Sequence, residues 1–376
     1  MKKIPSLVEA LAEIPDFRQP RGKRYQLVSL LVLMCVAMMS GCRSQAAMAE
    51  WGRNYGGKWL KRLGIKGRRG PSQATVHRVL KAIPVDKLEG VITKWANQVL
   101  EALPCPEGEL EGLAIDGKTL CGSKQQEAEE SHLVSVLSQR LGIVIAQLGV
   151  ASKTNEIPIV EKLLESLVIR GRVVTVDALL TQRAIAQAVL AGGGDYLMTV
   201  KHNQPTLRDD IQTLFQSPLT PPVDLRCAET TDLHGNRIEQ RRLCVSTDVV
   251  GYCDWPGLAQ VMQLERIITH KDTGKVTREV VYGITSLTPE QASASVLLNL
   301  WRQHWSIENK LHYVRDVTFD EDRSQVRTAQ IPQALAALRN AAISLLRLMG
   351  AHNIAAQCRL IAARPQLAFA ALGLLS

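Results

Sequence analysis

Two short apolar runs, each ending in an aspartate, decide the fold of this 376-residue chain. Residues 113–116 read Leu-Ala-Ile-Asp, and residues 173–177 read Val-Val-Thr-Val-Asp. Uninterrupted apolar runs of this length are typical of strands that are buried on both faces. A carboxylate at the end of such a strand lies at the sheet edge, where functional side chains face a crevice. Asp116 and Asp177 are therefore candidate functional residues.

Each aspartate also has a plainer interpretation, which the residues alone leave open. The pair Asp116-Gly117 is a common signal for a hairpin turn. Asp177 could simply cap the helix that is predicted to follow it.

The elements around these two runs alternate between strand and helix. Further strands are predicted at residues 133–137 and 143–150, on either side of a turn at 139–142, and at residues 196–200. Helices are predicted from Asn155 and from Thr181, because apolar residues recur at helical spacing after each of these polar residues. This order predicts an α/β core in which a mixed sheet is flanked by helices.

The regions on either side of this core have a different pattern. Residues 1–104 show apolar positions at helical spacing and no strand pattern, whereas residues 217–287 hold β-like runs that predict an inserted β-rich subdomain. Residues 331–376 are rich in Ala and Leu and predict helices with outward arginines. We therefore predict an all-α region over 1–104, a catalytic core over 105–322 and a helical tail over 323–376.

The net charge of +9 is unevenly distributed along the chain. Residues 1–104 carry 18 basic and 7 acidic side chains, and residues 323–376 carry 6 basic and no acidic ones. Basic ends around an acidic centre suit a protein that binds a polyanion and gathers carboxylates for a metal. Solvated surface charge is the simpler alternative.

One segment of the N-terminal region carries the clearest signal for DNA binding. Residues 51–81 hold nine basic side chains and no acidic one, and they include Arg68 and Arg69. Ser72 is a suitable cap for a short helix that presents His77 and Arg78 outward, as a helix-turn-helix recognition element does. A plain basic surface is the alternative.

Several function classes lack their sequence signatures. The eight cysteines show no zinc-ligand spacing, so we expect them to be reduced and mostly buried. The most apolar stretch, Leu27–Met39, is too short to span a bilayer, which predicts a soluble, cytoplasmic protein. No phosphate-binding loop or dinucleotide fingerprint is present, so neither ATP nor NAD is expected as a cofactor.

A third carboxylate, Glu308, lies in a predicted helix over residues 289–315. If it converges with Asp116 and Asp177, the three supply hard oxygen ligands for two Mg²⁺ ions, an arrangement that serves phosphoryl transfer. Taken alone, Glu308 is an ordinary exposed helical residue. One of four later acids could complete the site instead: Asp316, Asp320, Glu321 and Asp322.

Motifs spread over nearly the whole chain resemble one family. They are Leu-x-x-Ile-Pro-Asp-x-Arg at 11–18, Ala-Ile-Asp-Gly-Lys at 114–118, Lys-Thr-Asn-Glu-Ile-Pro at 153–158, Thr-Val-Asp-Ala at 175–178, Lys-His-Asn-Gln at 201–204 and His-Trp-Ser-Ile-Glu-Asn at 304–309. With these motifs the chain resembles the DDE transposases of bacterial insertion sequences, in particular the group that includes the H-repeat-associated proteins of Rhs elements.

The resemblance implies a ribonuclease H-like fold with Asp116, Asp177 and Glu308 as the catalytic, metal-binding acids. The implied cofactors are two Mg²⁺ ions, for which Mn²⁺ can substitute. The implied reaction is cleavage at the ends of a mobile element, followed by attack of the freed 3′-OH on target DNA. The implied partners are double-stranded DNA, as terminal inverted repeats and as target, and a second copy of the chain.

The resemblance also suggests DNA contacts. Related transposases surround the third acid with Tyr, Arg and Lys at fixed spacing, and these positions hold Trp301, His304 and Arg315 here. We expect Trp301 to stack and the other two to contact phosphate. Contact with the DNA backbone is also expected from four residues that flank strand ends: Lys153, Asn155, Lys201 and Asn203. For Asn155, capping of the following helix is the alternative.

Other readings remain open or are excluded by the residues. A tyrosine recombinase would explain the His-x-x-Arg at 312–315, but it needs a nucleophilic tyrosine downstream, and Tyr313 is the last tyrosine. An inactive, transposase-derived DNA-binding protein and a metal-dependent nuclease without strand transfer stay open. For all of these, the expected location is the bacterial cytoplasm, in association with the nucleoid.

Overall fold

The computed structural model describes residues 4–55, 57–65, 69–120, 132–150, 156–217 and 221–375. The chain divides into two compact units, each built from separate stretches of sequence. The first unit comprises Met1–Glu109, Gly117–Ile159 and Ser306–Ser376, and the second comprises Leu110–Asp116 and Val160–Trp305. The C-terminal residues therefore share a unit with the N-terminal region, whereas the sequence pattern suggested a separate tail.

The N-terminal part of the first unit is helical, as the sequence predicts. Ser6, Ser44 and Ser72 each precede a helix, and each hydroxyl accepts a hydrogen bond from a backbone N–H in the first turn. The helices are α1 (Leu7–Ala12), α2 (Leu27–Met39), α3 (Gln45–Asn54), α4 (Lys58–Arg62), α5 (Gln73–Ala82) and α6 (Val85–Ala102).

Helix α2 lies at the centre of the first unit. Its residues are apolar on every side, and all of them except Val28 are buried. A helix of this kind is stable only when other elements surround it, and α1 and α3 are among its neighbours. Across the part of the chain that the structure describes, no helix has the length and apolar character needed to span a membrane.

The C-terminal helices complete the first unit. They are α11 (Ile331–Leu348), α12 (Ile354–Ala363) and α13 (Gln366–Ala371), and two π-helical turns, Glu308–His312 and Val314–Thr318, precede them. The Phe369 ring lies 4.6 Å from that of Trp59 and 6.4 Å from that of Trp51, between ring centroids. Arg339 does not point outward as predicted, because it is buried in an ion pair with Glu321.

An antiparallel hairpin of the first unit confirms two predicted strands. Strand β2 (His132–Ser138) pairs with β3 (Val144–Val150), and α6 and α11 pack against β3. A buried polar cluster lies among these elements. Glu89 accepts hydrogen bonds from the amide groups of Gln147 and Gln333, at 2.8 and 2.9 Å. Burial nevertheless raises the pKa of Glu89 to about 7.

The two apolar runs form neighbouring parallel strands. Strand β1 (Glu111–Thr119) pairs with β4 (Arg172–Val176), and β4 pairs with β5 (Asp195–Val200), both in parallel. The apolar residues of both runs are buried on both faces, which explains why polar residues do not alternate in them. Because β1 continues past residue 116 to Thr119, the pair Asp116-Gly117 is part of a strand and not a hairpin turn.

Helices α8 (Arg183–Ala191), α9 (Pro205–Gln216) and α10 (Ala294–His304) pack against strands of this sheet. Helix α7 (Glu156–Glu165) precedes β4 in the chain. Helix α10 packs against β4 and β5 and contributes Leu297, Leu298 and Trp301 to a buried apolar cluster. This arrangement confirms the predicted α/β class, with a large mixed sheet flanked by helices.

The β-rich insertion continues the sheet and does not form the separate subdomain that the sequence suggested. Its strands are β6 (Arg226–His234), β7 (Arg237–Ser246), β8 (Gln260–His270) and β9 (Val276–Thr285). The reason is that β9 pairs antiparallel with β5, from Leu197↔Thr285 to Val200↔Tyr282. The strand order is β3-β2-β1-β4-β5-β9-β8-β7-β6.

Two cysteines depart from the expected reduced state. Cys227 and Cys244 face each other directly in the β6–β7 register, with their Cα atoms 4.2 Å apart, and they form a disulfide. Their spacing of 17 residues gave no signal, because only the hairpin register brings them together. Among the described residues, four further cysteines are free: Cys35, Cys42, Cys253 and Cys358.

We expect stability to depend on pH through Glu89. Because the folded-state pKa of about 7 lies above the ordinary value for glutamate, the folded state binds this proton more tightly than the unfolded state does. The free energy of unfolding should therefore fall by roughly 1–3 kcal/mol as the pH rises from about 5 to about 7. Glu89→Gln should remove this contribution, measured by urea unfolding at a series of pH values.

The matched control is Glu13→Gln, because Glu13 lies at the surface in an ion pair with Lys94. The control should keep the pH dependence of the wild type. Identical pH profiles for the wild type and Glu89→Gln would show that another group is responsible.

Candidate active site

Asp116 lies within β1, beside the carboxyl end of the neighbouring parallel strand β4, which Asp177 directly follows. The register of β1 and β4 pairs Ile115 with Val176, so each aspartate is the next residue after a directly paired position. Both side chains are half-buried. Since side chains alternate between the faces of a strand, the two carboxylates share one face at this end of the sheet.

Hydrogen bonds fix the loop that follows Asp177. The backbone N–H of Leu180 donates to Asp177 Oδ1 at 3.1 Å. The buried hydroxyl of Thr181 donates to the carbonyl oxygens of Asp177 and Thr199, at 2.9 and 2.6 Å. Asp177 therefore caps the turn that follows it, but it does not cap a helix as its plainer interpretation suggested, because the N-cap of α8 is Gln182. The main chain of Asp177 is also tied to β5 through Thr181.

Residues that follow β5 hold the same loop from the other side. The amide group of Asn203 donates to the carbonyl oxygens of Ala178 and Thr181, and Gln204 Nε2 donates to the Thr181 carbonyl at 3.1 Å. The Asn203 amide is thus used within the chain, which gives it a structural role where a DNA contact was expected. Lys201 is exposed.

The end of α10 is tied to β4 by a histidine. His304 Nδ1 lies 3.0 Å from the hydroxyl of Thr175, two residues before Asp177. Burial lowers the pKa of His304 to about 4, so the ring is neutral near neutral pH. A neutral, hydrogen-bonded ring at this position anchors the helix from whose end the chain continues to Glu308.

Glu308 begins a π-helical turn of the first unit. Such turns are rare and occur mostly at functional sites. Its carboxylate is half exposed, and Oε2 lies 3.0 Å from Nδ1 of the buried His312. This hydrogen bond, together with the charges of His312 and Lys118, lowers the pKa of Glu308, so the carboxylate is ionised at neutral pH.

Lys118 forms ion pairs with acids of the first unit. Its Nζ lies 2.7 Å from Asp316 and 3.5 Å from Asp322, and only 10% of its side chain is exposed. The sequence analysis above does not single out Lys118. Its position two residues after Asp116 on a predicted strand would have indicated that both side chains lie on the same face of β1.

Glu321 is part of a buried ion-pair cluster. Its carboxylate lies 2.6 Å from Arg315 and 2.7 Å from Arg339, and all three side chains are buried. The two guanidinium groups lower the pKa of Glu321 against the effect of burial. A carboxylate held by two arginines is a poor metal ligand, so Glu321 drops out as the alternative third acid.

Gly117 leaves room for a buried histidine. A Cβ at this position would lie 2.6 Å from His132 Nε2, so only glycine fits. His132 in turn lies 3.0 Å from the Thr119 hydroxyl and 2.5 Å from Glu156 Oε1. The glycine next to Asp116 therefore marks a close approach of side chains.

Comparison with known protein families assigns the chain to one of them. A family model described as a transposase DDE domain matches residues 107–345, which include Asp116, Asp177 and Glu308. A second family model, described as DDE_Tnp_1-associated, matches residues 8–96. The chain belongs to the DDE transposase family. The family resemblance predicted from the sequence motifs is therefore confirmed.

Relatives in this family cover most of the chain. YncI of Escherichia coli O157:H7, named as a candidate transposase, is 29% identical over 92% of this chain and 88% of its own length. The H repeat-associated protein YhhI of Escherichia coli K12, also named as a candidate transposase, is 28% identical over 92% of this chain and 91% of its own. The piggyBac transposase synaptic complex with hairpin DNA has a TM-score of 0.46 and 11% identity, covering 97% of this chain and 76% of that chain.

Members of the DDE transposase family use divalent metal ions. The carboxylate oxygens of residues such as Asp116, Asp177 and Glu308 are hard ligands of the kind that Mg²⁺ prefers. The ionised state of Glu308 at neutral pH suits the same role.

Three residues that were expected to contact DNA are engaged inside the units. Trp301 is 6% exposed within the apolar cluster, His304 bonds to Thr175, and Arg315 is fully buried against Glu321. Burial withdraws these side chains from solvent, so the structure argues against the stacking and phosphate contacts that the family spacing suggested.

The other expected DNA contacts divide into two groups. Arg69 and Arg78 are exposed, and His77 is half-buried with Nδ1 3.1 Å from Gln45 Oε1. The remaining positions lie outside the described residues: Arg68, Lys153 and Asn155.

We expect the Thr181 hydroxyl to stabilise the fold around Asp177. Thr181→Val keeps the shape of the side chain but leaves two carbonyl oxygens without their buried donor, which should lower the free energy of unfolding by about 1–3 kcal/mol. Thr231→Val is the control, because Thr231 is exposed on β6 and its substitution should have little effect. Equal unfolding midpoints in denaturant titrations of the two variants would contradict this role.

Proposed function

We propose that this chain is an active DDE transposase that cuts DNA at the ends of its own mobile element and joins the freed 3′ ends to target DNA. Asp116, Asp177 and Glu308 are the catalytic acids, and together they hold two Mg²⁺ ions, which Mn²⁺ can replace. The observation that carries this proposal is the pairing of Ile115 with Val176, since the next residue on each chain segment is an aspartate and the two lie at adjacent positions of the sheet.

Contacts of neighbouring residues support the convergence of Glu308 with the two aspartates. Lys118, two residues after Asp116 on β1, contributes its charge to lowering the pKa of Glu308. His304, four residues before Glu308, bonds to Thr175, two residues before Asp177. On these grounds we propose that Glu308 acts together with the two aspartates.

The catalytic core is proposed to have a ribonuclease H-like fold. The parallel set β1, β4 and β5 supports this assignment, with one acid within β1, one directly after β4 and a third beyond a helix packed on the sheet. Strands β6 to β9 then lie between the second and third acids, as the family resemblance implies.

The residues of the site have separate tasks in the reaction. The three carboxylates bind the divalent ions, which supply Lewis acidity to the attacking and leaving oxygens. Asp177 is held in place by its loop, and Glu308 by His312. In the first step an oxygen of water bonds to phosphorus and the bond to the 3′ oxygen breaks. In the second step that 3′-OH attacks a target phosphorus in line, which displaces a target 3′ oxygen.

Helices α3 and α5 are proposed to bind DNA. The two helices pack together, and Ser72 caps α5 with a hydrogen bond to the Thr75 N–H at 3.3 Å. Arg78 projects from α5 into solvent, whereas His77 bonds to Gln45 of α3 and so fixes the helix pair. We propose α5 as a recognition helix for the terminal inverted repeats, with the chain acting as a homodimer on paired ends.

The central test is cleavage and strand transfer on labelled DNA that carries the ends of the element, with Mg²⁺ or Mn²⁺. Asp116→Asn, Asp177→Asn and Glu308→Gln should each lower both rates by about a hundredfold or more, because each removes a charged metal ligand. DNA binding and thermal stability should stay close to those of the wild type.

Asp209→Asn is the matched control, because Asp209 is an exposed carboxylate of α9. It should cut and join normally. If Glu308→Gln remains active, the third acid is misplaced. If the wild type binds the ends but cuts with neither metal, the chain is an inactive copy, and cutting without joining identifies a nuclease.

The role of α5 is tested by Arg78→Ala. Loss of one contact with phosphate or with a base edge should weaken binding to the element's end about tenfold. Lys94→Ala serves as the control, because Lys94 is engaged in a surface ion pair with Glu13. Unchanged affinity of Arg78→Ala in fluorescence anisotropy titrations would exclude Arg78 from the interface.

A further inference from the structure

Lys118 combines a position beside the proposed catalytic acids with a charge that is fully engaged. It follows Asp116 by two residues on β1, so the two side chains leave the same face of the strand. Both carboxylate oxygens of Asp316 lie 2.7 Å from its Nζ, and Asp322 lies 3.5 Å from it. A cation at this position is placed to meet the phosphate that the acids act on.

The two acids that pair with Lys118 belong to a segment that buried ion pairs hold in place. We call residues 316–322 the acidic turn. Glu321 anchors it by pointing inward to Arg315 and Arg339, and Asp320 has a φ of +54°, a left-handed conformation that aspartate tolerates. The inward position of Glu321 leaves Asp320 and Asp322 on the outer side of the turn.

The acidic turn also engages a cation of the N-terminal basic region. Asp320 lies 3.9 Å from Arg43 and 3.7 Å from Arg323. Carboxylates spaced along a fixed turn thus neutralise basic groups that come from different parts of the first unit. A DNA strand presents anionic groups to such cations in the same way.

We propose that Lys118 contacts a DNA phosphate at the active site, and that the acidic turn occupies Lys118 in the DNA-free protein in place of that phosphate. The proposal deepens the transposase function proposed above and rests on it for the identity of the ligand. Arg315 does not serve as this cation, because its guanidinium is buried against Glu321.

The charges around Lys118 make the exchange necessary. Lys118 faces Asp316 and Asp322, and its charge also acts on Glu308, so negative charge already exceeds positive charge around it. A phosphate that approached while both carboxylates remained in place would add like charge in a partly buried setting, where screening is weak. Asp316 and Asp322 must therefore give up Lys118 when DNA binds, and they compete with DNA for it.

The competition is measured as DNA affinity in the absence of divalent metal. The probe is a labelled duplex that carries the element's own end, titrated with the full chain at several salt concentrations. Asp316→Asn and Asp322→Asn should each strengthen binding about three- to tenfold. Lys118→Met, which keeps the aliphatic stem, should weaken binding about tenfold and reduce the slope of log Kd against log salt by about one.

A double variant separates a specific exchange from a general charge effect. If Asp316 acts by occupying Lys118, Asp316→Asn should have little effect in the Lys118→Met background. Glu13→Gln and Lys94→Ala are the controls, because they remove equivalent charges from a surface ion pair elsewhere in the first unit. These controls should leave affinity and salt slope close to those of the wild type.

Each result decides the proposal. Equal strengthening by Asp316→Asn in both backgrounds shows that the acidic turn only repels DNA, and unchanged affinity of a folded Lys118→Met excludes the phosphate contact. If Lys118→Met fails to fold, the two aspartate variants decide, since unchanged affinity in both overturns the proposal. The outcome is independent of the catalytic triad, because binding is measured without metal and without cleavage.

Discussion

The parallel pairing of β1 with β4 is the constraint on which the site depends. Because the register pairs Ile115 with Val176, the next residues, Asp116 and Asp177, lie at adjacent positions with their side chains on the same face. The strands can supply this geometry only while both of their faces stay buried, which requires helices on either side. The apolar runs therefore fix where the two carboxylates leave the sheet.

The parts that could be predicted from the sequence share a local cause. The strands before Asp116 and Asp177 have no polar alternation, and the helices of residues 1–104 keep their apolar period, so local pattern alone identifies both. The β-rich run of residues 217–287 was also visible in this way. Its attachment to the sheet was not, because the pairing of β9 with β5 joins residues that are far apart in the sequence.

The partner of each polar side chain could not be predicted from the sequence. Arg315 occupies a position where the family spacing suggests a phosphate contact, yet it is buried and donates a hydrogen bond to the buried Glu321. Spacing along a helix shows which residues share a face, but it does not show whether that face meets solvent or another element. The same limit applies to Cys227 and Cys244, which become neighbours only through a hairpin register.

These buried pairs change how the net charge of +9 should be interpreted. Arg315 and Arg339 add to the positive count, but both are buried inside the first unit, where Glu321 offsets one of their two charges. Arg69 and Arg78, in contrast, are exposed in a segment that has no acids. The positive charge that a polyanion would meet therefore depends on such exposed cations rather than on the total charge.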